Sequence, residues 1–358
     1  MAASILEILK EAVAEQASDI LITAGSPITF HVFGQLIPYD ADWVLAGTET
    51  QELIYQFMTM DQRKVFENER DIDLAYHIPG LARFRVAVFQ QKGTLAAVLR
   101  LVPLRVPHFS EIGVAERVIL EMANIPNGLI LITGPTGAGK STTIASFLEF
   151  LNTEGGNPKH IISIEDPVEF LFTPKTCVID QREIGYDVKS YVKGLRAALR
   201  QMPHVIFVGE MRDRETIEVA LTAAETGNVV ISTLSTQSAA KTINRIIDIF
   251  PVEHQSEIRT RLALTLKVVI SQVLMRRIDT PGRVAAREMM FVNNAISNLI
   301  REGKVHQINN AIATGAKEGM VLMDDSILDL ASRGVVSYAS AVIRMTDAEK
   351  LAKLKARP

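Results

Sequence analysis

Cysteine is nearly missing from this chain of 358 residues: Cys177 is the one example. A lone thiol excludes an intrachain disulfide and any cysteine-built zinc site, and it suits a reducing, cytoplasmic compartment. Aromatic residues are also scarce, at 6% of the chain, and no aromatic platform or basic stripe of the kind that holds nucleic acid stands out. Neither sign of charge is in excess. The formal net charge of -3 gives no electrostatic reason to expect nucleic acid as a partner. No apolar run reaches the roughly 18 uncharged residues of a membrane-crossing helix, so a membrane role is expected only through partners. The opening Met1–Glu7 lacks the basic and apolar regions of a signal peptide. His160, His204, His254 and His306 are scattered, without metal-binding spacing.

What is present is ordinary for a folded protein: 47% hydrophobic and 22% charged residues. The length suggests two or three domains. Residues 4–15 carry apolar positions at helical spacing, and short β-rich runs follow at 18–23, 28–32, 82–90 and 94–102, the last two joined at Lys92-Gly93. This predicts an α+β domain over 1–102. The proline-bearing stretch 103–108 reads as a linker. Buried-looking strands at 129–133, 161–164, 205–208, 229–233 and 268–274 then alternate with helical runs, which predicts a parallel sheet covered on both faces over 109–294. Residues 295–358 read as helices broken at Gly303, Gly315, Gly319 and Gly334.

The most informative segment is Gly134-Pro135-Thr136-Gly137-Ala138-Gly139-Lys140-Ser141, which fits the phosphate-loop pattern in full. A strand-like run precedes it and a helix-like run, from Ser141 and Thr142 onward, follows. The glycines let the backbone turn tightly, so that N–H groups and a helix N-terminus face an anion. Lys140 is placed for the β- and γ-phosphates of ATP, and the Ser141 hydroxyl for Mg²⁺.

Downstream, two predicted strands end in acids. Ile161–Ile164 runs into Glu165-Asp166-Pro167, and Val205–Val208 into Gly209-Glu210-Met211-Arg212-Asp213. Carboxylates at strand ends fall where α/β sheets place their sites. Glu210 is the first candidate for the hydrolytic residue and Glu165 the second. Arg83 and Arg85 share one face of a strand, and Arg100 sits on the next. Spacing alone favours an exposed charged face for these arginines over a phosphate contact.

These motifs, with Gly134–Thr143, Ile164–Phe170 and Val208–Asp213 foremost, resemble the secretion-type ATPases of type II and type IV systems. Ser18-Asp19, Ala82-Arg83-Phe84-Arg85, Gln181–Gly185, Ala224–Gly227 and Asn298–Lys304 are similar to the type IV pilus retraction branch. The resemblance implies a PAS-like α+β N-terminal domain, a RecA-like α/β ATPase domain and a helical C-terminal segment. It implies a homohexameric ring that hydrolyses ATP with Mg²⁺ at the cytoplasmic face of the inner membrane. It further implies docking on a pilus platform protein, a possible second pilus ATPase as companion, and Arg83, Arg85 and Arg100 as arginine fingers toward a neighbour's nucleotide.

The departures from that pattern are specific. The two histidines that the family places near the γ-phosphate are Asn228 and Ser235 here. Both are polar and can bind nucleotide as neutral partners, but neither carries charge. Leu21, Met202-Pro203-His204 and Ser297 also differ from the family's usual residues. These changes leave two alternatives: an accessory pilus or type IV secretion motor, or a low-turnover regulatory subunit.

Overall fold

The computed structural model describes residues 4–32, 35–102 and 105–355. Pro103 and Leu104, the start of the stretch read as a linker, lie outside them. The chain divides into two compact units, one ending at Arg105 and one beginning at Val106.

The first unit holds six strands: β1 (Asp19–Thr23), β2 (Thr29–Val32), β3 (Gln35–Pro38), β4 (Asp71–Ile78), β5 (Ala82–Gln91) and β6 (Thr94–Val102). They form one antiparallel sheet in the order β3-β2-β1-β6-β5-β4. Alternation decides its two faces. Ala82, Phe84, Val86 and Val88 of β5 are buried and cluster with Ile8 and Leu9 of helix Ile5–Ala14, Leu53 and Ile54 of helix Gly47–Tyr55, and Phe66 of helix Met60–Glu69. The odd-numbered residues of β5, Arg83 and Arg85 among them, therefore occupy the opposite face. Lys92 and Gly93 both have positive φ, 47° and 80°, which is the two-residue turn that the strand twist favours. Helix Ile5–Ala14 begins at a capping box between Ser4 and Glu7.

The second unit is built on seven strands: β7 (Gly128–Thr133), β8 (His160–Glu165), β9 (Val178–Glu183), β10 (Val205–Val208), β11 (Val229–Leu234), β12 (Leu266–Arg276) and β13 (Arg283–Phe291). Their order is β13-β12-β7-β11-β10-β8-β9. Pairing is parallel from β12 to β9, and β13 closes the other edge antiparallel to β12. The five strands expected from the sequence, β7, β8, β10, β11 and β12, do run parallel; β9 and the antiparallel β13 are additions at the two edges. Every residue of β7, β10 and β11 is buried, and Leu129–Ile132, Val205–Val208 and Val229–Ile231 are unbroken apolar runs within them. Two apolar clusters flank the sheet, one containing Leu131, Ile164 and Val208, the other Ile132, Phe147 and Phe207. After β13 come helices Asn294–Arg301, Ile308–Thr314, Met323–Ser332, Tyr338–Arg344 and Ala348–Lys355. Among the described residues, no helix is long and apolar enough to cross a membrane.

Candidate nucleotide site

The parallel strands set their carboxyl ends in one row, and the chemistry gathers there. β7 leads into the loop, and helix Lys140–Thr153 leaves it with Gly139 as its cap at φ 83°. Gly134 tolerates no side chain: a Cβ there meets the carbonyl oxygen of Gln272 at 2.3 Å. The Lys140 ammonium donates to the carbonyls of Gly134, 2.8 Å, and Pro135, 3.0 Å. Burial lowers its pKa, against the pull of Glu210 and Glu169. Gln272 of β12 fastens the loop. Its amide donates to Ala138 O at 2.7 Å and accepts from the Thr143 hydroxyl at 3.0 Å.

Glu165 and Gly209 follow paired positions, because Ile164 of β8 lies opposite Val208 of β10. Glu165 is buried. It accepts from the Ser163 hydroxyl at 2.6 Å and from the Gln181 amide at 3.3 Å. Burial outweighs these donors and pushes its pKa up to about 7. Glu210 is more open and forms an ion pair with Arg212 at 2.7 Å. The rest of that segment is structural. Met211 enters the core, and Asp213 caps helix Arg214–Glu225 by accepting from Thr216 N at 2.8 Å. Tyr191 packs its hydroxyl 2.9 Å from where a Cβ of Gly209 would stand. Burial and the charges of Asp166 and Glu210 push its phenol pKa above the ordinary range.

Asn228 and Ser235 bracket β11 from opposite ends. Ser235 follows Leu234, whose carbonyl accepts from Gly134 N at 3.1 Å, so it borders the loop. Asn228 precedes Val229, which pairs with Gly128 at the start of β7. Six strand residues separate the two ends, roughly 20 Å at the usual rise. The Asn228 amide instead donates to Ala223 O at 3.0 Å, tying down the end of helix Arg214–Glu225. Within one chain Asn228 is therefore not part of the loop's site, which corrects its expected role as a nucleotide contact there.

The arginines Arg83, Arg85 and Arg100 belong to the first unit. Arg85 and Arg100 are cross-strand partners. Arg100 donates to Asp19 at 2.7 Å, and Arg85 stands 4.0 Å from Asp73.

Beside the loop lies a cavity of about 430 Å³, a size that suits a small ligand. Gly139 and Thr142 form one wall, and Gln272, Arg287 and residues 110–113 form others. Gly139 of the loop borders this cavity, while Glu165 and Glu210 stand at the ends of the neighbouring strands β8 and β10 and are not among its lining residues.

The family described as type II/IV secretion system protein matches residues 1–326. The chain belongs to this family. One relative is the type IV pilus retractation ATPase PilT of Pseudomonas aeruginosa, 44% identical over 337 residues, or 94% of this chain and 96% of that one. The type IV pilus ATPase PilU of the same organism is 33% identical over 345 residues, 96% of this chain and 89% of that one. A crystal structure described as the pilus retraction motor PilT and bound ADP has a TM-score of 0.91 to this chain at 42% identity, covering 98% and 99% of the two chains. The α+β unit followed by a RecA-like ATPase unit is the architecture of this family.

Sequence reasoning missed four residues that the fold brings against the loop, the cavity or the acid-bearing strand ends: Gln272, Arg287, Tyr191 and Gln181. Gln272 and Arg287 did carry a signal. Each is a polar residue inside a strand yet almost fully buried, and the two lie opposite each other. Tyr191 and Gln181 sit in stretches with no apolar pattern to set them apart.

Proposed function

We propose that this chain is the subunit of a homohexameric, Mg²⁺-dependent ATPase ring that drives type IV pilus retraction from the cytoplasmic face of the inner membrane. The observation that carries this reading is that an intact phosphate loop, with Lys140 inside it, sits in a chain that matches the PilT retraction motor along its whole length. The loop's amides and Lys140 hold the phosphates. Glu210 orients the attacking water, and Glu165, buried beside it, tunes that water's proton balance. Arg83, Arg85 and Arg100 reach the nucleotide of a neighbouring subunit and offset charge developing on the γ-phosphate. Ser235, at the loop's edge, donates to the same group as a neutral partner.

Mg²⁺ fits the donors available. The Ser141 hydroxyl and the Glu210 carboxylate are hard oxygen ligands, and no cluster of three acidic or imidazole side chains among the described residues offers a protein-only cage. Mg²⁺ bound there would share its coordination with the phosphates and neutralise their charge. The platform partner is a membrane protein of the pilus machine.

The cellular test is deletion of the gene. Hyperpiliated cells without twitching motility are expected. Normal retraction in the deletion strain would favour the second reading, an accessory motor beside another pilus ATPase. That reading draws on the match to PilU and on Ser235, whose neutral hydroxyl stands where the family's motif carries a histidine.

A further inference from the structure

Arg287 projects from β13 directly across from Gln272, the residue that fastens the phosphate loop. Its side chain is 4% exposed. Among the described residues it has no carboxylate partner, and its Nε has no hydrogen-bond partner at all. One terminal nitrogen donates to Gly113 O over a long 3.3 Å. Burial alone draws its pKa down to about 10, which still leaves it charged at neutral pH. The other arginines of the cavity differ. Arg277 is paired with Asp279 at 2.6 Å and Arg333 with Asp329 at 3.2 Å, and Arg283 is exposed. A buried cation without a partner is costly to keep. Here it faces a cavity of about 430 Å³ that begins at Gly139 and Thr142.

A guanidinium only donates, so whatever completes Arg287 must offer acceptors. On the nucleotide reading above, which this inference rests on, the phosphates occupy the loop and the nucleoside enters the adjoining cavity. On its N7 edge, adenine presents one acceptor beside a donating amino group. A 6-oxopurine presents N7 and O6 together, two neighbouring acceptors matched to the fork of an arginine. We propose that Arg287 reads this edge of the purine ring, and that the site accepts 6-oxopurine triphosphates such as GTP and ITP at least as well as ATP. Arg287 is thereby a specificity-determining residue, and the motor draws on more than one nucleotide pool.

The test is equilibrium binding of ATP, GTP, ITP and base-less ribose triphosphate to the full-length protein with Mg²⁺. Wild type is expected to bind GTP and ITP no more weakly than ATP. Arg287→Met weakens GTP and ITP by about tenfold and ATP by less than about threefold, and leaves the base-less compound unchanged. Arg287→Lys, which keeps the charge without the fork, shows the same change of selectivity. The unliganded Met variant melts no lower than wild type, because a buried unpaired charge has gone, so weaker binding cannot be blamed on unfolding. Preference of wild type for ATP by tenfold or more overturns the proposal, as does an equal loss across all four compounds. Binding of none of them by folded wild type overturns the nucleotide reading itself. In that case Lys140→Ala also has nothing to lose, whereas failure of the Arg287 proposal alone leaves triphosphate binding intact and dependent on Lys140.

Discussion

Gln272 donates from its side-chain amide to the carbonyl oxygen of Ala138, 2.7 Å away, and so pins the crown of the phosphate loop to β12. The same amide accepts from Thr143 on the helix that follows. One side chain thus fixes both sides of the turn that must hold its shape around phosphate. Gln272→Leu keeps the volume and removes both bonds. It should lower stability by about 1–3 kcal/mol, since a buried carbonyl loses its partner. It should also raise the KM for ATP more than it changes kcat, because the defect lies in binding geometry. Denaturant melts and steady-state kinetics check both.

On the proposed mechanism, Glu165 is expected to set the acid limb of activity. Its pKa is raised by burial to about 7, so the carboxylate is the minor form at pH 6 and the major form at pH 8. kcat/KM, which reports the free enzyme, should rise about tenfold across that interval. The linkage has the matching sign. The native state holds a proton that the unfolded chain has released, so this group's cost to stability grows as pH rises from the ordinary carboxylate range to about 7 and is complete above it. Glu165→Gln should flatten the activity profile and narrow the fall in stability between pH 5 and 8. An unchanged profile in that variant would remove Glu165 from the reaction.

Ser235 and Asn228 separate cleanly by mutation. Ser235→His places an ionisable donor at the edge of the loop and should raise turnover. Asn228→His removes the bond to Ala223, leaves that subunit's own site untouched and should cost about 1 kcal/mol, or roughly 2–4 °C in Tm. Equal gains in turnover from both substitutions would mean that Asn228 acts on a neighbour's nucleotide.

The arginines make a prediction about rings. Subunits carrying Arg85→Ala and subunits carrying Lys140→Ala are each expected to be inactive alone. Mixed rings should recover part of the activity, because one class of interface pairs a sound loop with a sound arginine. Verified mixed rings with no recovery would count against sites shared between subunits.

The outcome of reading the sequence follows burial. Fully buried strands such as β7 and β10 were plain as apolar runs, and the β5–β6 hairpin was plain from two β-rich runs meeting at Lys92-Gly93, where Gly93 readily takes a positive φ. β9 and β13 were not seen. β9 carries Asp180, Gln181 and Arg182 at a sheet edge, and β13 carries Arg287 and Glu288, whose burial no hydrophobic pattern could announce. The loop and both acids were legible because their chemistry is local in sequence. The cavity was not, because Gly113, Thr142, Gln272 and Arg287 meet only through the order of the strands. Asn228 was misplaced for the same reason: it is seven positions from Ser235 along the chain, and β11 runs the whole distance between them.

The central claim is that this chain hydrolyses nucleotide through Glu210 at the phosphate loop. The direct measurement is Mg²⁺-ATP turnover by the purified protein beside its Glu210→Gln variant, with nucleotide binding followed in both. Wild type should turn over, and the variant should bind ATP comparably while losing activity by about 100-fold or more. Turnover of the variant at the wild-type rate, or no turnover by wild type that binds ATP, would contradict the account.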